Sequence, residues 1–311
     1  MSVLVLTQPQ PPGPCLEAFA RLAPHETVHA DLESARAAAD EVEAVLLWRL
    51  SPGVLTPFGG LRMLCASAAG VDKILSCPDL PPGLPVTRTV DAQQNLQIAQ
   101  YVTLMVLRHV RRLALFEEQA AARAWRRHPV PAPADVRVGL LGLGQSGQAV
   151  ARALVALGFT VMGHSRSPRA CPGVETFSGP QGLEAMLARS EVLVCLLPLT
   201  PDTQGLLDAR LFAQLPRGAH VVNVSRGALV VEPDLIEAIR SGHLSGAALD
   251  VQSREPLPPD DPLWDEPRVL VTPHIASLPT PDTVVAQVLE NLQRVRSGEP
   301  LLREVDLARG Y

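Results

Sequence analysis

Three side chains in the second half of this 311-residue chain are of kinds that can hold an anion and move a proton: Arg226 in NVSRGALVVEPDL, Glu255 in ALDVQSREPLP and His274 in LVTPHIA. A guanidinium is a rigid, permanently charged fork of donors. An imidazole exchanges its proton near neutral pH. Each of the three follows a short apolar run of strand character, so the spacing predicts that all lie at the carboxyl edge of one parallel sheet, where such sheets bind ligands. Upstream, Gly142, Gly144 and Gly147 form GLGQSG between the apolar run VRVGLL and the helical stretch QAVARALVALG. In that context the motif is a dinucleotide fingerprint. The first glycine permits a tight turn, the second lets the backbone approach a pyrophosphate, and the third lets helix and strand pack closely. Gln145, Ser146 and Gly147 then open a helix whose N–H groups suit phosphates. The carboxylate expected about 20 positions further on, which would bind the ribose of NAD, is replaced by Ser165, Arg166 and Ser167. A guanidinium flanked by hydroxyls suits a 2′-phosphate, which predicts NADPH/NADP+ as the cofactor rather than NAD.

These groups need alternating strands and helices to carry them, and the chain supplies that rhythm twice. Residues 1–97 run through SVLVLT, EAFARLA, EAVLLWR, LRMLCAS, GVDKIL and PVTRTV, a βαβ pattern. Residues 95–124 predict one long, partly buried helix, and RRHPVPAPAD at 126–135 a proline-rich connection. From VRVGLL a second unit continues through FTVMGHS, EVLVCLLP, AHVVNVS, GAALDV and RVLVTPH, and PDTVVAQVLENLQRVRSG forms the last helix. A single core stops growing at about 250–300 residues. The expected fold is therefore α/β with two doubly wound parallel-sheet domains: a Rossmann NADP-binding domain over 98–279, and a smaller flavodoxin-like substrate-binding domain over 1–97 and 280–311.

Composition excludes several partners. The net charge is −5, and the basic residues, of which Lys73 is the only lysine, are scattered. That pattern leaves no nucleic-acid footprint. Five widely spaced cysteines without a CxxC pair read as reduced thiols, with neither disulfides nor a bound metal. No apolar run reaches the about 18 residues of a membrane span, and no basic segment precedes the short apolar run at the N-terminus. The expectation is a soluble, cytoplasmic protein with a small-molecule substrate and no membrane partner.

Taken in order, GVDKIL, QYVTLMVLRHVRR, GLGQSG, HSRSPRACPGV, NVSRGALVVEPDL, DVQSREPLPPDDPLW, TPHIA and VDLARGY resemble the D-isomer-specific 2-hydroxyacid dehydrogenase family over essentially the full length. The resemblance implies an NADPH-dependent oxidoreductase that reduces a small 2-oxo acid, glyoxylate or hydroxypyruvate, to the 2-hydroxy acid. In it Arg226 binds the substrate carboxylate and keto oxygen, His274 donates the proton and Glu255 orients the imidazole. It also implies that Leu197, Pro198, Thr203, Val224, Ser225 and Asp250 surround the cofactor. The amides of Ala69, Gly70 and Val71 in SAAGVD would hold the substrate carboxylate, as an amide nest suits an anion. Trp48 would line the substrate pocket and Trp264 add an apolar wall, and two copies would pair as a homodimer through the larger domain. The domains are expected to close over substrate about hinges near 95–100 and 276–282. Two positions depart from the family pattern: Gln100, where many members carry Glu, and Ala68 with Ala69, where glycine is common. Both bear on substrate preference. A non-enzymatic, corepressor-like dinucleotide sensor and a phosphoglycerate dehydrogenase are the competing readings. The short stretch after the last helix, without a partner-binding tail or regulatory domain, is expected to disfavour both.

Overall fold

The computed structural model describes residues 2–8 and 10–307, so the last residues of the VDLARGY motif, 308–311, lie outside the described residues. The chain divides into two compact units, Met1–Gln93 with Leu278–Tyr311, and Gln94–Ser277.

The smaller unit holds five parallel strands, β1 (Ser2–Leu6), β2 (Thr27–His29), β3 (Val42–Leu47), β4 (Met63–Ala66) and β5 (Val86–Arg88), in the order β2-β1-β3-β4-β5. β3 and β4 are buried along their whole length, as strands covered on both faces must be. β2 is short and partly exposed, which is why no apolar run announces it. On one face the core joins Val3, Val5, Ala44 and Met63 to Phe19 and to Val285 and Leu292 of the helix Pro281–Ser297. That helix is N-capped by Thr280, whose Oγ1 accepts from the Thr283 N–H, and it ends at Gly298 with φ 73°, the left-handed stop that glycine favours. The Thr280 N–H donates to Asp91, and the Gln287 side chain bonds both backbone groups of Val90. These bonds keep both ends of the crossing segments in this unit. The crossings therefore fall at Gln93–Gln94 and Ser277–Leu278, a few residues ahead of the expected boundaries.

The larger unit holds β6 (Arg137–Leu141), β7 (Thr160–Ser165), β8 (Val174–Ser178), β9 (Val192–Cys195), β10 (Ala219–Asn223), β11 (Leu244–Leu249) and β12 (Val269–Val271), in the order β12-β11-β10-β9-β6-β7-β8. Neighbours pair in parallel. The winding reverses between β6 and β9, and ligands of doubly wound sheets bind outside the carboxyl ends at such a reversal. The register sets Val271, Leu249, Asn223, Cys195, Leu141 and His164 in one row across the sheet. The loops that start at Thr272, Asp250, Val224, Leu196, Gly142 and Arg166 consequently leave the sheet side by side.

Two elements differ from expectation. β8 is an edge strand with no buried residue, so VETFS carries no apolar signature. The single helix expected over 95–124 is two, Ala92–Val110 and Leu113–Ala121, separated at Arg112 with φ 54°. Ala99, Val102, Met105, Val106 and Val110 pack into the core, whereas Leu113–Ala121 buries none of its residues. The first helix thus continues only as far as it has a core to cover. A cavity of about 740 Å³ opens at the amino edge of the sheet, lined by the starts of several strands and by the stacked rings of His109 and His220, 4.2 Å apart. Burial, reinforced by Arg112, pushes His109 down to about 4, so that ring is neutral near neutral pH. This cavity lies at the edge opposite the loops just named. No helix among the described residues is long and apolar enough to cross a membrane.

Candidate active site

The three glycines of the loop after β6 have separate physical reasons. Gly142 has φ 104° and its N–H donates to the His164 carbonyl, while a Cβ there would come within 3.0 Å of the Leu196 oxygen. At Gly147 a Cβ would overlap the Gly142 carbonyl oxygen, so the helix Gln145–Ala156 is pressed directly on the loop. At Gly144 a Cβ would meet nothing within 4 Å. Packing therefore demands glycine at 142 and 147, and the bare backbone at 144 leaves room for a ligand to approach. Gly144 also precedes the helix with no side-chain cap on its first turn, the condition in which a helix N-terminus can receive a phosphate. Behind the loop, Ser146 Oγ donates to Asn95 Oδ1 at 2.8 Å and the Asn95 amide reaches Gln145 Oε1 at 3.5 Å.

At the end of β7 the Ser165 hydroxyl donates to the Ser167 carbonyl at 2.8 Å, curling the segment that exposes Arg166 and Ser167. Arg169, which no sequence motif singles out, donates from Nη1 to the Leu143 carbonyl at 2.8 Å and brings a second guanidinium to the glycine loop. After β9, Thr203 Oγ1 donates to the Pro198 carbonyl at 2.7 Å and accepts from the Thr200 N–H at 2.8 Å, closing that loop on itself. The Ser225 hydroxyl donates to the Leu197 carbonyl and the Val224 N–H to Cys195 at 3.4 Å, so the loops after β9 and β10 are bonded together. These residues fit a dinucleotide: an open bare backbone, an uncapped helix start and two exposed cations.

The reaction-centre candidates leave β10, β11 and β12 in turn. Asn223, fully buried, donates from Nδ2 to the Arg226 carbonyl at 3.0 Å and accepts from the Ser225 N–H at 3.1 Å, shaping the turn that presents the half-buried Arg226. Arg226 Nη1 donates to the Ser225 carbonyl at 2.7 Å. A Cβ on Gly227 would overlap the Gln252 backbone, so the Arg226 turn and the loop carrying Glu255 are in direct contact. That loop is pinned by Glu232, whose carboxylate takes the Ser253 N–H at 2.7 Å and its hydroxyl at 2.6 Å, and the Gln252 N–H donates to Glu255 Oε1 at 3.3 Å. Both Glu255 oxygens lie 3.2 Å from His274 Nδ1. With the carboxylate at Nδ1, any proton exchange with a ligand would fall to Nε2.

His274 has φ 55°, an uncommon conformation for a residue with a Cβ, costing on the order of 1 kcal/mol or more. Asp250 holds it there. Its carboxylate accepts from the Thr272 hydroxyl at 2.6 Å, the Ile275 N–H at 2.8 Å and the Ala276 N–H at 2.8 Å, and its carbonyl accepts from the His274 N–H at 2.8 Å. Burial pushes the Asp250 carboxyl up, against the pull of these donors. The residue expected beside the cofactor thus has its carboxylate engaged in building the His274 loop. Trp264 is about half exposed on the turn Pro262–Asp265 and donates from Nε1 to the Pro258 carbonyl at 2.8 Å.

In the smaller unit, Leu47 and Ala66 share a register position, so Trp48 and the bend at 67–69 leave β3 and β4 together. Ala69 is exposed, Gly70 half-buried, and Val71, buried, precedes the short helix Asp72–Leu75. The Lys73 ammonium sits 3.7 Å from the centroid of the half-buried Trp48 ring, a cation–π contact no motif announced.

Residues 103–276 match the family described as D-isomer specific 2-hydroxyacid dehydrogenase, NAD binding domain. The chain is similar to glyoxylate/hydroxypyruvate reductase A of Yersinia enterocolitica, at 37% identity over 86% of this chain and 87% of the relative. It is 38% identical to the protein of that name from Escherichia fergusonii, over 88% of each. Among solved structures it resembles an NADPH-dependent glyoxylate/hydroxypyruvate reductase from Sinorhizobium meliloti in complex with NADP and sulfate, with a TM-score of 0.92, 37% identity and 100% of both chains covered. It also resembles a D-isomer specific 2-hydroxyacid dehydrogenase from Xanthobacter autotrophicus in complex with NADPH and MES, with a TM-score of 0.89, 39% identity, and 100% of this chain and 99% of that chain covered.

Proposed function

The chain belongs to the D-isomer-specific 2-hydroxyacid dehydrogenase family, and from that premise we propose that it reduces a small 2-oxo acid, glyoxylate or hydroxypyruvate, to the 2-hydroxy acid with NADPH. The observation that carries this reading is the Glu255 carboxylate on His274 Nδ1, on a loop leaving the same sheet row as the open Gly144 backbone. The relatives named for this reaction support the substrate assignment.

Gly142, Gly144 and the start of the helix Gln145–Ala156 hold the pyrophosphate, and Ser165, Arg166 and Ser167 the 2′-phosphate. Leu197, Pro198, Thr203, Val224 and Ser225 line the rest of the cofactor site. When bound, NADPH supplies the hydride. Arg226 anchors the substrate carboxylate and stabilises the negative charge that grows on the keto oxygen. His274 delivers a proton to that oxygen from Nε2, and Glu255 holds the ring in the orientation that makes this transfer short. On the smaller unit, the amides of Ala69, Gly70 and Val71 offer donors to a carboxylate, and the Trp48 ring an apolar wall. The direct test is NADPH oxidation against glyoxylate, hydroxypyruvate, pyruvate and larger 2-oxo acids. Turnover is expected with the first two, and no oxidation with any of them would remove this reading.

Arg166 should set the cofactor preference. A charge-assisted contact to a 2′-phosphate contributes about 1.5–3 kcal/mol, so Arg166→Ala should cut the NADPH-over-NADH ratio of kcat/KM roughly tenfold or more. Equal use of both cofactors by the unmodified protein would contradict the role given to the SRS segment.

Two copies are proposed to pair through the larger unit. Its segment 96–130 exposes Leu96, Leu104, Leu113, Val130 and Trp125, the last at 94%, side chains that would gain from burial against a second copy. Sedimentation should give a dimer that Trp125→Arg weakens, and a monomer at micromolar concentration would refute the pairing. A reducing, cytoplasmic setting completes the reading, supported by the wide spacing of five cysteines without a CxxC pair.

A further inference from the structure

Tyr101 and Thr272 have no part in the chemistry above, yet their hydroxyl oxygens lie 2.6 Å apart and join the helix Ala92–Val110 to the loop after β12. The direction of this contact follows from what lies beyond it. An ionised carboxylate can only accept, so Thr272 Oγ1, 2.6 Å from Asp250 Oδ1, donates to Asp250. Its lone pair is then the acceptor for the Tyr101 hydroxyl. Burial pushes the Tyr101 phenol up to about 12, so this donor keeps its proton through the neutral range. The Asp250 carboxylate at the end of the chain takes hydrogen bonds from Thr272 on one side of His274 and from Ile275 and Ala276 on the other. The left-handed backbone of His274 is thereby gripped on both sides, and the grip extends to a helix that packs in the core of the unit.

Resting on the reading of His274 as proton donor, we propose that Tyr101 is a positioning residue: through Thr272 and Asp250 it holds the His274 backbone so that the imidazole stays against Glu255. A hydroxyl pair that merely fastened a helix to a loop would contribute to stability and leave turnover alone. The two roles separate in a variant series of Tyr101→Phe, Thr272→Val, Thr272→Ser and the double variant Tyr101→Phe/Thr272→Val, measured for kcat, KM, NADPH Kd and Tm. Tyr101→Phe is expected to lower kcat roughly three- to tenfold, equivalent to about 0.6–1.4 kcal/mol in the barrier. The KM of the 2-oxo acid and the Kd of NADPH should stay within about twofold. Because both substitutions break one chain, the double variant should turn over no more slowly than Thr272→Val alone. Thr272→Ser keeps the hydroxyl and should restore turnover.

A second readout needs no activity. Deuterium uptake by the peptide spanning residues 270–277, measured on the NADPH-bound protein, should quicken in Tyr101→Phe and Thr272→Val and stay unchanged in Thr272→Ser. Additive losses in the double variant would overturn the proposal, as would a fall in Tm with unchanged kcat, or a fall in kcat without faster exchange. If the unmodified protein reduced no 2-oxo acid, the functional reading would fall, while the exchange data would still decide whether Tyr101 holds the His274 loop.

Discussion

His274→Ala is expected to lower kcat for 2-oxo acid reduction by roughly 10²–10⁴ while the Kd for NADPH stays within about twofold. The size reflects the loss of a positioned general acid. The asymmetry reflects the geometry, because His274 lies on the loop after β12, whereas the expected phosphate contacts lie after β6 and β7. Alanine also removes a side chain from a residue with φ 55°, so a loss of activity could come from the backbone relaxing. His274→Asn separates the two causes, since asparagine tolerates the left-handed region better than most residues. Both variants should be equally inactive with Tm near that of the unmodified protein. Stopped-flow hydride transfer and fluorescence titration of NADPH measure the two parameters, and a fully active His274→Asn would overturn the mechanism.

Arg226→Ala is expected to damage binding and turnover together. Loss of a charged anchor for the substrate carboxylate should raise KM by about 10–100-fold, on a contribution of roughly 1.5–3 kcal/mol. Loss of the donor aimed at the developing oxyanion should lower kcat by about 10²–10³. Arg226→Lys keeps the charge and loses the planar fork, so it should recover part of the KM effect and little of kcat. The fold should tolerate both, because the turn is shaped by Asn223, which bonds the backbone of residues 225 and 226 rather than the guanidinium. A raised KM with unchanged kcat would confine Arg226 to ground-state binding.

Much of this site was legible because each part advertises itself locally. GLGQSG between an apolar strand and a helix states its own context, and the structure shows a distinct reason for each glycine. Ten of the twelve strands among the described residues fall in the apolar runs read from the sequence, whereas the short β2 and the edge strand β8, neither of which buries a single residue, carry no such mark. Arg226, Glu255 and His274 were read as candidates from the strands they follow together with the family resemblance, and folding sets Glu255 against His274. Arg169, Glu232 and Tyr101 lie within the quoted motifs but drew no role there, because their residue types alone do not distinguish them from solvated or core residues. Their partners, Leu143, Ser253 and Thr272, are distant in sequence and meet them only after folding.

From the order of its apolar runs, glycines and polar strand ends, the sequence by itself determined the two-unit α/β architecture, the dinucleotide loop and which side chains stand at the carboxyl edge, since those properties depend on periodicity and on residues near one another. Tertiary structure alone decided where the long helix stops and that Asp250 clamps the His274 loop. It also decided that His274 adopts a left-handed backbone and that Glu255 meets it at Nδ1. The physical reason is that hydrogen-bond direction and backbone strain are set by which atoms become neighbours, and the atoms that hold His274 come from a helix, a strand end and its own loop, which only the folded chain brings together.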